Sequence, residues 1–436
     1  MRQTLKAFTL VAGAFAGGLI GGSSIVRSAW ASATDSYDGL NTLARAMTTI
    51  ESSYVEELQT LELVHAAVQG MVDDLDPHSV WLPPKEYQRL QERADGRYLG
   101  IGIELGAFGE ASPVIDRVLP RGPAALAGIQ PGDLLVAIDG GEVSTLTSAE
   151  VLENLNGPQG ASVQLTLLRG GVPVNLTVVR DEVLEISVEG ELLEPGWGYL
   201  RLKHFSRRVA TETDLALSRM ARDQPLNGVI IDLRDNPGGL ITEAVELVDL
   251  FLSEGLIVQT RGRDASQIES FEATAEASDR STLPIVVLVN GGSASASELV
   301  AGALQDTGRA TIIGASTYGK GSMQHVYEFE DGSALKLTVA RYYLPGGESI
   351  EPGVGVTPDV EVTLQSAPDQ LRALKEAVAE LSISTSDRQR LEAMVDALPL
   401  RDSASTTSPP WTGTLAERLE ADSQLQAAWE HLRSER

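Results

Sequence analysis

The chain has 436 residues, 42% of them apolar, a formal charge of -27 and no cysteine. That length calls for two to four modules. The acidity disfavours nucleic acid, whose phosphates want Lys and Arg, and it disfavours anionic membrane surfaces. The lack of cysteine excludes a thiol nucleophile, a thiolate metal site and disulfides.

The first residues read as a targeting leader. Arg2 and Lys6 give a positive start, Ala7 to Val26 is uncharged and apolar, and Ala31-Ser32-Ala33 has the small-residue form of a cleavage site. The glycine-rich apolar stretch favours cleavage over anchoring. This places the rest outside the cytoplasm, in the periplasm of a Gram-negative bacterium, with inner-membrane association if the leader is retained. Residues 34–95 are expected to be helical: Leu40, Leu43, Ala44, Met47 and Ile50 repeat at helical spacing, as do Leu61, Val64, Ala67 and Met71. Leu75-Asp76-Pro77-His78-Ser79 breaks the second helix at its proline.

Residues 96–182 change character. Short Val/Ile/Leu runs, among them Ile101–Leu105, Leu134–Ile138, Val163–Leu167 and Asn175–Val179, alternate with Gly and Pro turns, which reads as a small β-rich module. Short helices fit Pro123–Ala127 and Ser148–Asn156. From 183 to 365 strands and helices alternate. Gly228–Leu233 and Leu283–Val289 are apolar on both faces and are followed by the helices Ile241–Leu252 and Ala296–Gln305, the mark of an α/β core. Further strands fit Gly198–Leu202, Ala310–Ile313, Met323–Phe329 and Ala334–Arg341. Residues 366–436 read as an acidic helical tail with a Ser/Thr/Pro linker at 402–413, and one last helix carries Leu415, Leu419, Leu425 and Trp429.

Two βα turns in the core share one design. One strand ends at Leu233 and Arg234-Asp235-Asn236-Pro237-Gly238-Gly239 turns into a helix; another ends at Asn290 and Gly291-Gly292-Ser293-Ala294-Ser295-Ala296-Ser297 does the same. Sites in such sheets form at the carboxyl ends of strands. Glycine lets a substrate approach the backbone, and unpaired amides at a helix N-terminus favour negative charge, as an oxyanion hole requires. Ser293, Ser295 and Ser297 are the candidate nucleophiles, although serine is also an ordinary capping and packing residue there. The five histidines, at 65, 78, 204, 325 and 431, include no pair at the i, i+4 spacing of a helical zinc site, and none is marked as a triad base. Neither a metal nor another cofactor is expected. Lys320, between glycines in Tyr318-Gly319-Lys320-Gly321, is a candidate base. It must be neutral to act, so its free pKa of roughly 10.4 must fall, mainly by desolvation. A lone Gly-Lys-Gly is otherwise an exposed turn.

These segments, with Gly70-Met71, Leu75–Ser79, Tyr342-Tyr343-Leu344-Pro345-Gly346 and Gly353–Asp359, resemble in order and spacing the C-terminal processing (tail-specific) protease family. The resemblance implies a Ser-Lys serine endopeptidase with a crotonase- or ClpP-like α/β core, flanked by helical N- and C-terminal segments. It implies Ser295 as nucleophile, Lys320 as general base and Gln324 as a support for the lysine. The oxyanion donors would be the Ala296 amide and that of Gly238 or Gly239. The chain departs from some members at Gly291-Gly292, where a bulkier pair occurs, and at Glu348 and Glu351, where basic or polar residues are common.

Tyr98-Leu99-Gly100-Ile101-Gly102-Ile103 resembles the carboxylate-binding loop of a PDZ domain, with Ala124–Ile129 as the following helix and turn. The resemblance implies that the loop amides grip a chain-terminal carboxylate while the strand edge pairs with the peptide. Leu99, Gly100 and Gly102 belong to that loop, and Ile101, Ile103 and Leu126 are candidates for a pocket taking an apolar terminal residue. The expected partners are polypeptides with free C-termini, and an adaptor or a second copy through the helical ends. Two rival readings are a non-catalytic PDZ adaptor, which predicts loss of the serine or lysine, and a crotonase-type acyl-CoA enzyme, which sits badly with an export leader.

Overall fold

The computed structural model describes residues 38–106, 112–264, 266–275, 280–362 and 414–434. The expected leader, the tail helices around Leu374 and Leu391 and the linker 402–413 lie outside the described residues. The chain divides into two compact units between Pro83 and Pro84.

The first unit holds helix α1 (38–53), helix α2 (Thr60–Asp73) and a short strand β1 (Val80–Leu82). Helix α2 stops ahead of Pro77. Asp76 closes the turn that follows: one carboxylate oxygen accepts the His78 and Ser79 N–H groups at 2.8 and 3.0 Å, and the other accepts the Ser79 hydroxyl at 2.6 Å.

The second unit opens with helix α3 (Pro84–Ala94) and the β-rich module. The module's elements are β2 (Arg97–Gly100), β3 (Ile103–Leu105), β4 (Ile115–Val118), α4 (Pro123–Leu126), β5 (Leu134–Ile138), β6 (Gly141–Glu142), α5 (Ser148–Leu155), β7 (Ser162–Arg169), β8 (Val172–Val179) and β9 (Asp181–Leu184). The expected strand 101–105 starts only at Ile103, because Gly102 takes φ +80° and turns the chain between β2 and β3. Ile101, Ile115, Leu135, Val151, Leu165, Leu167 and Val178 form the module's own core. Helix α5 begins with a capping box of Thr147 and Glu150. At its other end Arg180 donates to the Asn154 and Leu155 carbonyls, which helix geometry leaves unpaired.

The core continues with β10 (Val188–Glu194), β11 (Trp197–Leu202), α6 (Val209–Met220), β12 (Gly228–Asp232), α7 (Ile241–Asp249), β13 (Leu256–Gly262), β14 (Ile268–Glu272), β15 (Ile285–Val289), α8 (Ala296–Asp306), β16 (Thr311–Gly314), β17 (Ser322–Glu328), β18 (Ala334–Tyr343) and β19 (Val360–Glu361). Strands β10-β11-β12-β15-β16-β19 form one sheet, parallel except for β10. Strands β17, β18, β13 and β14 lie side by side, antiparallel. Period-2 alternation explains the unbroken apolar runs. Val229, Ile231, Val287, Val289 and Ile312 face helices α6, α7 and α8, while Ile230, Val286, Leu288 and Ile313 face the opposite way.

That opposite face is covered by the end of the chain. The single last helix expected from the sequence is two, α9 (Leu415–Ala421) and α10 (Ser423–Ser434), broken where Asp422 takes an extended backbone. Leu425, Ala428, Trp429 and Leu432 pack on the sheet, and Trp429 meets Trp197 edge-on at 5.7 Å between ring centroids. Gly228 has no side chain because Leu432 lies where a Cβ would point, at 2.9 Å. Burying four such side chains contributes about 1.5–3 kcal/mol for each large one. This segment therefore packs on the core.

Candidate active site

The two βα turns lie side by side because β12 and β15 are neighbours in parallel register. A set of polar bonds stitches them together. Asp235 and Asn290 bond reciprocally: the Asp235 N–H donates to Asn290 Oδ1, and Asn290 Nδ2 donates to Asp235 Oδ1, both at 2.9 Å. The Asn236 carbonyl accepts the Ala294 N–H at 3.0 Å and the Ser297 hydroxyl at 2.9 Å. Ser293 donates its hydroxyl to the Leu233 carbonyl at 2.8 Å. Gly292 has no alternative here, since a Cβ would stand 2.8 Å from Asp235 Oδ1 and 2.9 Å from its Cα. Burial raises the Asp235 carboxyl above its ordinary range, although the Asn290 bond works against the rise.

These bonds sort the three candidate serines. Ser293 and Ser297 are fully buried and donate their hydroxyls to backbone carbonyls. The Ser295 hydroxyl donates to no such acceptor among the described residues. Ser295 sits at the junction of turn and helix α8 with φ +56° and ψ -111°, a conformation that costs a non-glycine residue on the order of 1–3 kcal/mol. The strain is held by Glu298, whose side chain accepts the Ser295 N–H at 2.7 Å.

Glu298 does more than cap the helix. It is wholly buried, and its second oxygen accepts the Thr317 hydroxyl and the Gly319 N–H, both at 2.6 Å. The Lys320 N–H donates to the same oxygen that holds Ser295, at 2.8 Å. One carboxylate thus fixes the backbone of both Ser295 and Lys320. Glycines flank Lys320 because the loop is sandwiched: a Cβ on Gly319 would lie 2.4 Å from the Gly353 nitrogen, and one on Gly321 would lie 2.1 Å from the Ile350 carbonyl oxygen. The loop is also anchored to the second turn, where the Tyr318 N–H donates to the Ser293 carbonyl at 3.0 Å. Lys320 itself is half-buried. Gln324 lies on β17, and its amide donates to the Ser322 hydroxyl at 2.9 Å and to Thr338 Oγ1 at 3.3 Å, next to the lysine loop.

The first turn supplies the glycines. Gly238 and Gly239 have φ +97° and +146°. A Cβ on Gly238 would stand 2.9 Å from the Ser295 Cβ and 3.0 Å from the Ala296 nitrogen, so this glycine opens the space beside both. The Ala296 amide opens helix α8 and has no partner within it. The Gly238 amide donates to Asn236 Oδ1 at 2.9 Å, whereas the Gly239 amide has no bonded partner among the described residues.

Below the turn lies a buried ionic group. Arg234 donates through Nε and Nη2 to Asp232, and through Nη1 to Asp422 Oδ1 at 2.9 Å and Gln424 Oε1 at 3.2 Å. Burial opposes the Asp232 charge, but the Arg234 charge and hydrogen bonds, with one from the Tyr199 hydroxyl, outweigh it and hold the carboxyl below its ordinary range.

In the β-rich module the Ile101 carbonyl accepts the Ala124 N–H at 2.8 Å and the Gly102 carbonyl accepts the Leu119 N–H at 3.0 Å, so the glycine loop is braced from behind. Gly100 and Ile101 are buried, Ile101 in the module's core. Leu99 and Ile103 are half-buried, and Leu126 is turned outward at 82% exposure. Glu104 and Arg117 of the module meet Lys203 and Glu189 of the core: Lys203 Nζ lies 3.0 Å from Glu104 and 3.2 Å from Glu189, and Arg117 pairs with Glu189. Among the described residues no group of three or more His, Asp or Glu side chains is arranged to hold a metal, and no helix is long and apolar enough to cross a membrane.

Sequence reasoning passed over Glu298, Asp235, Asn290 and Asp422. Glu298 carried a signal, since Ser295-x-x-Glu298 is the pattern of a capping box. The others carried none, because their partners are distant in sequence.

Family comparisons agree with this architecture. Residues 196–362 match the peptidase family S41, residues 114–169 match the PDZ domain, and residues 22–85 match the N-terminal domain of the activating protease CtpB. The chain is 38% identical to a carboxy-terminal-processing protease of Bartonella bacilliformis over 76% of each chain. It is 33% identical to the carboxy-terminal processing protease CtpA of Bacillus subtilis, over 84% of this chain and 78% of that one. A solved S41 protease structure from Bacteroides fragilis superposes with a TM-score of 0.52 at 17% identity, over 80% of this chain and 96% of that one, and shares the fold. With its PDZ module ahead of the S41 core, the chain belongs to the carboxy-terminal processing proteases, serine peptidases of family S41.

Proposed function

We propose that this protein is an exported endopeptidase that cuts polypeptides presented by an apolar free C-terminus, using a Ser295–Lys320 dyad. The observation that carries the reading is the Glu298 carboxylate, which bonds the backbone N–H groups of Ser295 and Lys320 with one oxygen. The two residues are held to a common point although 25 positions apart in the chain.

In this mechanism the neutral Lys320 amine removes the Ser295 hydroxyl proton as the oxygen attacks the scissile carbonyl. The tetrahedral oxyanion is held by the Ala296 amide and one from the first turn. Gly239 is the better second donor, because the Gly238 amide is already committed to Asn236. Lys320 then protonates the leaving amine, and water hydrolyses the acyl-enzyme. Gln324 steadies the strand next to the lysine loop. The loop 99–103 receives the substrate carboxylate, with the chain laid along β3. The Arg2, Lys6 and Ala7–Val26 pattern supports export, and with it periplasmic substrates.

The test is cleavage of an unfolded reporter ending in an apolar residue by the chain from residue 34 onward, beside Ser295→Ala and Lys320→Ala. Only the parent is expected to cut, and amidating the reporter's C-terminus is expected to slow it. Persisting proteolysis in Ser295→Ala would remove the nucleophile assignment. An inert parent that still binds the reporter would favour the PDZ-adaptor reading.

A further inference from the structure

The first turn is bonded to its neighbours on either side: Asn236 Nδ2 donates to the Leu202 carbonyl and the Gly238 carbonyl accepts the Phe205 N–H, both at 2.9 Å. Leu233, Asp235 and Asn236 are tied to the second turn. Toward the terminal helices the handle is the Arg234 guanidinium, 5% exposed. Its bonds to Asp232 fix it only to its own strand, two residues away, so that pair moves with the turn. The bonds that tie this guanidinium to a separate element go to Asp422 and Gln424, 188 and 190 residues away.

That element is itself firmly placed. Besides its apolar contacts with the sheet, Arg418 pairs with Glu191, and Gln424 Nε2 donates to the Val362 carbonyl at 2.7 Å. Asp422 also ends α9 and starts α10: its N–H donates to the Arg418 carbonyl at 3.0 Å, and its Oδ1 accepts the Leu425 N–H at 2.9 Å. The side chain is therefore held on its own helices before it reaches Arg234, with Oδ2 2.8 Å from Nη2. Charge-assisted bonds shielded from water are stronger and more directional than exposed ones.

We propose that Asp422 is a positioning residue for peptide hydrolysis: through Arg234 it fixes the backbone of turn 234–239 from the far side of the sheet. The terminal helices then belong to the working active site and are not only a cover. The inference rests on the proposed role of the first turn as an oxyanion donor. It follows from geometry that Asp422 acts on transition-state stabilisation and leaves substrate docking alone, because the module's glycine loop and the Lys320 loop are anchored by other bonds.

The experiment uses the full chain. Asp422→Asn keeps the shape and removes the charge. We expect kcat to fall about tenfold, a fraction of the 10²–10³ that losing a whole oxyanion donor costs, with KM within twofold and the midpoints of the kcat–pH profile unmoved. Asp422→Glu should restore most of the loss. Leu432→Ala, which weakens the same helix without touching Arg234, should lower the melting temperature and leave kcat unchanged well below it. Unchanged kcat in folded Asp422→Asn, or an equal loss in Leu432→Ala, would overturn the proposal. If Asp422→Asn does not fold, Gln424→Leu decides: a smaller fall in kcat at constant KM supports the proposal, and no fall overturns it. Labelling by a serine-directed phosphonate separates the two levels. If Ser295 is not the labelled residue, the dyad reading fails; if Ser295 is labelled at the parent rate in Asp422→Asn, only the role of Asp422 fails.

Discussion

Two glycine loops, 99–103 in the PDZ module and 234–239 in the core, both present backbone amides, and they are held in different ways. The PDZ loop is braced by backbone-to-backbone bonds and by Ile101 buried in an apolar core. The core turn has backbone bonds too, to Ala294 and Phe205, and adds a set of side chains: Asp235, Asn236, Asn290, Ser293, Ser297 and Arg234 all bond it, most of them buried. The difference fits the tasks proposed for them. A binding loop can adjust as a flexible peptide settles, whereas a reaction centre needs its donors within about 0.5 Å of the productive place. Directional, desolvated polar bonds supply that accuracy, and apolar packing alone does not.

The comparison can be broken most severely at Gly238. Alanine there must adopt φ +97° with its Cβ 2.6 Å from the Ala294 carbonyl oxygen. We expect kcat to fall on the order of 10²–10³-fold, while the affinity of the module for a C-terminal peptide, read by fluorescence anisotropy, stays within twofold. Retained kcat would show that the turn tolerates movement.

Glu298→Gln comes next. The glutamine amide nitrogen cannot accept, so the two donors facing it lose their partner, at about 1–3 kcal/mol each. Urea denaturation should show a loss on the order of 2–6 kcal/mol, with kcat reduced about tenfold or more because Ser295 and Lys320 lose their common anchor. A normal kcat in a folded variant would detach the dyad from this carboxylate.

Gly102→Ala tests the other loop. Its φ of +80° strains any other residue, and a Cβ would meet Val183 at 3.4 Å, ordinary contact. Peptide affinity should weaken by about tenfold, or 1.4 kcal/mol, while single-turnover acylation by a short ester is unaffected. Equal losses in both assays would mean that the loops are not independent.

Acid should separate the loops as well. The folded state holds the Asp232 carboxyl low, so this residue contributes stability above its unfolded pKa, and that contribution is lost as pH falls through the folded value. Melting curves taken below the ordinary aspartate range should decline, and Asp232→Asn should flatten that decline. The smallest effect is expected at His204, whose pKa is lowered by burial against the opposing pull of Glu185. The fold prefers its neutral form, so stability is present above the unfolded value near 6.5 and falls as pH drops below it. His204→Gln should remove that slope, and an unchanged slope would assign it to another group.

Much of this was legible in the chain. Uninterrupted runs such as Val229-Ile230-Ile231 and Val286-Val287-Leu288 announced strands buried on both faces, and the fold is the α/β core with an inserted β-rich module that they implied. Strands β10, β13 and β14 were missed. Glu191 and Glu194 hide β10, and Arg261 and Glu269 interrupt the apolar signal of the paired strands β13 and β14. The last helix was read as one because Leu415, Leu419, Leu425 and Trp429 keep near-helical spacing across Asp422. Asp422 breaks the run by accepting both the Leu425 N–H at the start of α10 and the Arg234 guanidinium.

Sequence alone determined the module order, the two glycine-rich βα turns and the candidate residues on them, because those follow from local periodicity, turn chemistry and motif order. Turn chemistry left Ser293, Ser295 and Ser297 alike, with only the family resemblance pointing to Ser295, and Gly238 and Gly239 stayed interchangeable. Tertiary structure distinguished them by deciding which donors are already committed: two serine hydroxyls and the Gly238 amide go to structural bonds. The Gly238 bond is a local turn, but the serine bonds join residues about sixty positions apart and the Arg234–Asp422 bond joins residues 188 apart, and no local pattern encodes those. They arise only when packing brings buried polar groups together and water is no longer there to satisfy them.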